Sequence, residues 1–266
     1  LHSSARTSIP ETFVRTLIDN NIQPTIHFQP SLASAPTTQE FHLLFKLYAR
    51  WGIKHVVLFD HPNLRESWPT ADWVRANPVD RFLDLFVPRA EAALDAGLTP
   101  LLPPLEPGGD YWDTVFLKTA LLGLIQRGQN RVAKNIGLAA YGRDNIHDPS
   151  WGQGGPERWQ DAAPFRTPVD SQDHRGFHIA SWYLAAAEEV LGFRPPILLM
   201  QVNASTFISQ HKFLPAEVIA CSFWILSADL KTPAYPHAWF TPDGRPLPGA
   251  RFLQNWLTAE VANLAQ

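Results

Sequence analysis

The residues best equipped for chemistry stand where short apolar runs end. In chain order they are His27 and Gln29, Asp60 and His61, Glu106 and Asp110, Tyr141, Gln201 and Asn203, then Trp224 and Asp229. Carboxylates can act as general acids, bases or nucleophiles, and imidazole moves protons near neutral pH. Amides fix hydroxyl groups, while indole and phenol rings give flat apolar faces to ligands such as sugars. A polar strand end also occurs simply because it meets solvent, so the set as a whole carries more weight than any member.

The runs that present these residues alternate with helix-like stretches. A helix over about Pro10 to Asn20 leads into a strand, Pro24 to Gln29, stopped by Pro30. Thr37 and Glu40 form a capping-box pattern ahead of Phe41, Leu44, Phe45, Tyr48 and Trp51, with Gly52 as the stop. His55 to Asp60 is the next strand. Phe82, Leu83, Phe86, Ala90 and Leu94 mark a long helix closing at Gly97, and Leu98 to Glu106 follows as a strand made irregular by prolines. Tyr111 to Gly128 is helical, and Asn135 to Tyr141 is a strand. Residues 142 to 172 are rich in Gly, Pro and Trp and too long for an ordinary connection, which suits a functional loop over one end of the fold. A helix at 173 to 191, strands at Ile197 to Val202 and Val218 to Leu226, and a final helix from Leu247 to Leu264 complete the chain.

Strand-then-helix repetition favours parallel strands joined by crossover helices. The expected fold is α/β, a (β/α)8 barrel forming one domain over residues 1–266. About six strands are legible where eight are needed, so a leading strand, helix and strand is expected to be absent from this chain, supplied by an upstream segment or partner. An open doubly wound sheet fits less well, because no Gly-rich phosphate turn follows a strand; Pro107-Gly108-Gly109-Asp110 is too short for that fingerprint. In a barrel the strand C-termini form the active face, which unites the residues named first.

Three segments carry a resemblance to a known superfamily. Phe59-Asp60-His61-Pro62-Asn63-Leu64 resembles the Trp-Asn-Glu-Pro-Asn segment that ends the fourth strand of the clan A glycoside hydrolases, the group of the retaining cellulases and xylosidases. Pro196-Ile197-Leu198-Leu199-Met200-Gln201-Val202-Asn203 is similar to their Pro-Ile-x-x-Thr-Glu-x-Gly, with the same offset from Pro to the acidic position. Ser222-Phe223-Trp224-Ile225-Leu226 resembles their eighth strand, where a tryptophan commonly floors a sugar subsite. The resemblance follows the strand order of the whole chain, with Pro24 to Gln29 as third strand. It implies an oligosaccharide or polysaccharide ligand, contacts from Trp224, Tyr141, His27, Gln29, Asn63, Asp110, Trp112 and Asn203, and an extracellular or cell-surface setting.

The departures decide what activity is expected. Retaining hydrolysis uses two carboxyl groups about 5 to 5.5 Å apart, one an acid/base and one a nucleophile. His61 stands at the acid/base position and Gln201 at the nucleophile position. A neutral amide cannot form the glycosyl ester or stabilise an oxocarbenium ion as a carboxylate does. Histidine can donate a proton, but one partner does not restore the two-step mechanism. Three explanations stand: an engineered Glu-to-Gln change at 201, which leaves His61 unexplained; natural loss of catalysis with a retained sugar cleft, which covers both and is favoured; or displaced chemistry by Glu106 with Asp60 or Asp110. Glu106, between Pro103-Pro104 and Pro107-Gly108-Gly109, is equally readable as a loop anchor. A scaffold that keeps only the fold is the remaining class.

Other residues have bland readings beside their functional ones. Trp151, Trp159, Tyr111 and Trp112 would make an aromatic platform or plug their loops. His174, His178, His211 and His237 lack metal-ligand spacing with an acid and read as structural, so neither metal nor cofactor is expected. Ser222 has no nucleophile-elbow context, and the single cysteine, Cys221, reads as a small core residue. The net charge of −3 is scattered and gives no footprint for nucleic acid or an anionic membrane. No apolar run reaches the roughly 18 residues needed to span a bilayer, and the first residues show no signal-peptide pattern, so a soluble chain is expected.

Overall fold

Helix starts and stops follow from local chemistry. Glu40 and Thr37 exchange hydrogen bonds as a capping box, so Thr38–Arg50 begins where its backbone N–H groups would otherwise lack acceptors. That helix buries Phe41, Leu44, Phe45 and Tyr48, one stripe at helical spacing. Pro78 opens Pro78–Asp95, and Gly97, at φ +83°, lets the chain turn out of it into the next strand.

The computed structural model describes residues 1–74, 77–144, 147–232 and 235–264. Its strands are β1 (His2–Ser3), β2 (Ile26–Phe28), β3 (His55–Leu58), β4 (Thr99–Leu102), β5 (Gly137–Tyr141), β6 (Ile197–Val202) and β7 (Val218–Phe223). The helices, in order, are α1 (Glu11–Asp19), α2 (Thr38–Arg50), α3 (Thr70–Trp73), α4 (Pro78–Asp95), α5 (Asp113–Gln126), α6 (Asn130–Asn135), α7 (Gly155–Arg158), α8 (Ile179–Leu191), α9 (Ala204–Gln210) and α10 (Pro248–Leu264). Hydrogen-bonded neighbours in the sheet follow chain order from β1 to β7. From β1 to β5 the pairing is parallel, with His2 opposite His27, Val57 opposite both His27 and Leu101, and Leu101 also opposite Gly137.

This corrects the expected barrel. Among the described residues the sheet has seven strands, and β1 and β7 are its two ends rather than neighbours, so the eight-stranded barrel lacking its first strand, helix and strand is not what forms. The strand missed in the sequence is β1. Two residues cannot display the period-two alternation by which a strand is recognised, yet the pair bonds to β2 ahead of α1. The proline-rich run after α4 is a strand only over Thr99–Leu102.

The chain condenses into two compact units, one of residues 1–140 with 183–197, the other of residues 141–182 with 198–266. In the first, Phe28 is ringed edge-on by Phe41, Phe45 and Tyr48 at centroid distances of 5.3 to 5.9 Å. Gly137 is required there, since a Cβ would lie 2.9 Å from the Pro196 carbonyl oxygen and closer still to Leu101. The second unit packs Phe207 against Phe223 and Trp256, and Phe223 against Trp239 at 4.5 Å. No helix among the described residues is long and apolar enough to cross a membrane.

Candidate functional site

In the first unit the ends of β2, β3 and β4 bring several of the expected residues together. His61 follows β3 in a left-handed backbone conformation, φ +43°, two residues after Phe59 at φ +73°. Such angles are rare outside glycine and mark a chain bent to aim side chains. The His61 Nδ1 lies 3.1 Å from Asp60 Oδ2, and its Nε2 lies 3.2 Å from Glu106 Oε2. Burial by itself pulls this imidazole down, but hydrogen bonds and charge from Asp60 and Glu106 overcome it and raise the pKa to about 9. At neutral pH the ring is therefore an imidazolium bridging two carboxylates. Gln29 Nε2 donates to the same Asp60 Oδ2 at 2.7 Å.

The remaining expected residues of this unit serve the frame. Asn63 is fully buried; its oxygen accepts from Glu106 N and its amide nitrogen donates to the Glu106 and Tyr111 carbonyls, which clamps the Glu106 loop to the turn after β3. Tyr183 donates to buried Asp113 at 2.7 Å, and Asp113 accepts from Gly108 N, fixing the same loop from below. Asp110 accepts from Arg65 N at 2.8 Å. His27 is 3% exposed; its Nε2 shares a 2.8 Å hydrogen bond with the Phe59 carbonyl, and desolvation lowers its pKa to about 4. It is a neutral ring tying β2 to the bend after β3. Trp112 is exposed at the start of α5, and Tyr111 packs edge-on against Phe116.

The second unit holds a cavity of about 800 Å³. Gln201, Asn203 and Trp224 line it, together with Arg143, Asp144 and Trp239. Gln201, the next-to-last residue of β6, has φ +56°, and its Oε1 accepts from Arg143 Nε at 2.7 Å. Arg143 lies over the Tyr141 ring at 4.2 Å, so Tyr141, itself 2% exposed, supports the guanidinium from beneath. Asn203 caps α9, accepting from Ser205 N at 3.0 Å and Ser205 Oγ at 2.8 Å. Asp144 accepts from buried Thr206 at 2.6 Å. Trp224 is 39% exposed and leans on His237, whose ring centroid is 4.9 Å away.

Arg143, Asp144, Tyr235, His237 and Trp239 were not among the expected site residues, although all line this cavity. Arg143 and Asp144 lie two and three residues past the apolar run of β5, a position the strand-end rule would reach if extended into the loop. His237 and Tyr235 sit in a short turn whose sequence carries no period.

The long 142–172 segment, of which residues 145 and 146 lie outside the described set, is anchored chiefly on Asp173, just beyond its end. Asp173, 2% exposed, accepts from Trp151 Nε1, Thr167 Oγ1 and the Arg175 backbone and guanidinium. Burial opposes its ionisation, but these donors hold the carboxyl well below the usual carboxylate range. Trp159 donates to the Gln153 carbonyl. Both indoles therefore brace the loop. His178 is buried on Gln210, His211 bonds the Phe207 and Ile208 carbonyls, and burial raises the Cys221 thiol to about 12. Asp229 closes a turn with Lys231 N. Among the described residues no group of three or more His, Cys, Asp or Glu side chains is arranged to hold a metal ion.

No family model matches the chain, and no curated protein matches it. Among solved structures it is similar to the carboxyl transferase domain from Rhizobium etli pyruvate carboxylase with pyruvate and biocytin, at 11% identity and a TM-score of 0.42 over 82% of this chain and 30% of that one. It is also similar to the same domain with pyruvate, at 10% identity and a TM-score of 0.42 over 81% and 30%. The chain thus spans about a third of the length of those structures.

Proposed function

We propose that this chain is a carbohydrate-binding, glycoside-hydrolase-like protein that has lost retaining glycosidase activity. The observation that carries the reading is the cavity of about 800 Å³ in the second unit, whose lining includes Trp224, Trp239, Gln201 and Asn203. Saccharide rings present apolar C–H faces and a rim of hydroxyls, and this pairing of flat aromatic surface with planar hydrogen-bonding groups suits both.

Loss of hydrolysis is supported by the state of the two positions that the resemblance marks. Gln201 is an amide with its oxygen held by Arg143, so it offers no nucleophile. His61 lies between Asp60 and Glu106, so its protons are engaged by carboxylates. The same bridge disfavours displaced chemistry by Glu106 with Asp60, because the imidazolium ring occupies the space that a sugar and water would need.

The test has two readouts on the whole chain. Nitrophenyl glycosides, whose good leaving group removes the need for an acid, should show no turnover above the uncatalysed rate. Oligosaccharides titrated against the tryptophan fluorescence should bind saturably. Ready hydrolysis of the nitrophenyl substrates would overturn the loss of activity, and an absence of saccharide binding would overturn the reading itself.

A further inference from the structure

The hydrogen-bonding direction of the cavity walls narrows the class of ligand. Arg143 and the Ser205 backbone N–H can only donate, so the atoms of Gln201 and Asn203 that face them must be oxygens. Asn203 Oδ1 receives two donors, Ser205 N at 3.0 Å and Ser205 Oγ at 2.8 Å, which fills both of its lone pairs. Gln201 Oε1 is engaged by Arg143 at 2.7 Å. What both amides have left to offer is chiefly their NH₂ groups. Trp224 and Trp239 also line the cavity; an indole N–H can only donate, and neither of theirs makes a hydrogen bond among the described residues.

The charges in the wall do not decide the matter. Arg143 and Asp144 stand side by side with opposite sign, so their charges offset, and Asp144 Oδ2 accepts from Thr206 while the carboxylate keeps acceptor sites of its own. Selection then falls to the donors. A neutral hydroxyl both donates and accepts, whereas an ionised carboxylate accepts only, at about four lone-pair sites, and forms charge-assisted hydrogen bonds roughly twice as strong as neutral ones. We infer that the cavity binds a saccharide unit bearing a carboxylate, a uronic acid, rather than a neutral sugar. The inference rests on the saccharide reading of this cavity. It also gives a physical reason for an amide at 201, since a glutamate there would set a like charge beside the ligand.

The experiment is titration calorimetry of the whole chain with a trimer of galacturonic acid, its fully methyl-esterified form, and a neutral hexose trimer. The acid should bind at least about tenfold more tightly than the ester and weaken with added salt. Gln201→Glu and Asn203→Asp each exchange NH₂ for oxygen at nearly constant size and keep the oxygens that Arg143 and Ser205 use. Their thermal midpoints should stay near that of the parent. The double variant should lose about tenfold affinity for the acid and no more than about threefold for the ester. Ester or neutral trimer bound as tightly as the acid would overturn the inference and leave the saccharide reading standing. Equal losses for acid and ester in the variants would also overturn it, and no binding of any trimer would overturn both.

Discussion

His61 shows how a residue expected to perform one task performs another. In sequence it stands at an acid/base position, and in the structure it joins Asp60 and Glu106 as a cation. Its folded pKa of about 9 lies above the ordinary 6.5. The stabilisation is therefore fully present below pH 6.5, provided the carboxylates are ionised, and is lost as pH rises through about 9. Replacing His61→Gln should cost roughly 1 to 3 kcal/mol at pH 7, because two carboxylates then face one another without the cation. Urea unfolding from pH 6 to 10 checks this: the gap between parent and variant should shrink as pH passes about 9. A gap that stays constant would assign the effect to packing. The strand-end rule named His61, Asp60, Glu106, Gln201 and Trp224 because polar and aromatic residues closing apolar runs are visible in one dimension. It said nothing about Tyr141 being buried under Arg143, since which way a terminal side chain turns depends on neighbours far away in sequence.

At the scale of elements, most helices and strands were legible because their signals are local. The capping box at Thr37 and Glu40, the proline at the start of α4 and the glycine after it each act within a few residues. β1 was not legible, as a two-residue strand exists only through its pairing with β2. The 142–172 segment was recognised as unusual by its composition, while the reason it holds its shape lies just outside it, at Asp173. Gly152, at φ +75°, brings the loop so close to the Asp173 carbonyl that a Cβ would lie 2.4 Å from that oxygen. Asp173→Asn replaces an acceptor-only group that serves five donor atoms with one that has a single oxygen. A loss of about 2 to 4 kcal/mol is expected. Hydrogen exchange should show faster exchange concentrated in residues 147–175, and unchanged exchange there would contradict the anchoring role.

For the molecule as a whole, the α/β alternation and the parallel pairing were readable from the order of runs, and the closed eight-stranded barrel was an extrapolation that the seven-stranded sheet corrects. Counting strands needs every pairing partner, and pairing is a property of the folded sheet rather than of any one run. The central claim is that a saccharide occupies the cavity beside Trp224. It is tested most directly by titrating the saccharides that bind the parent chain against Trp224→Ala. Trp224 is 39% exposed, so its removal should lower the thermal midpoint moderately and leave the chain folded. Loss of the stacking face should lower saccharide affinity by about tenfold or more. Affinity in Trp224→Ala equal to that of the parent chain would contradict the account.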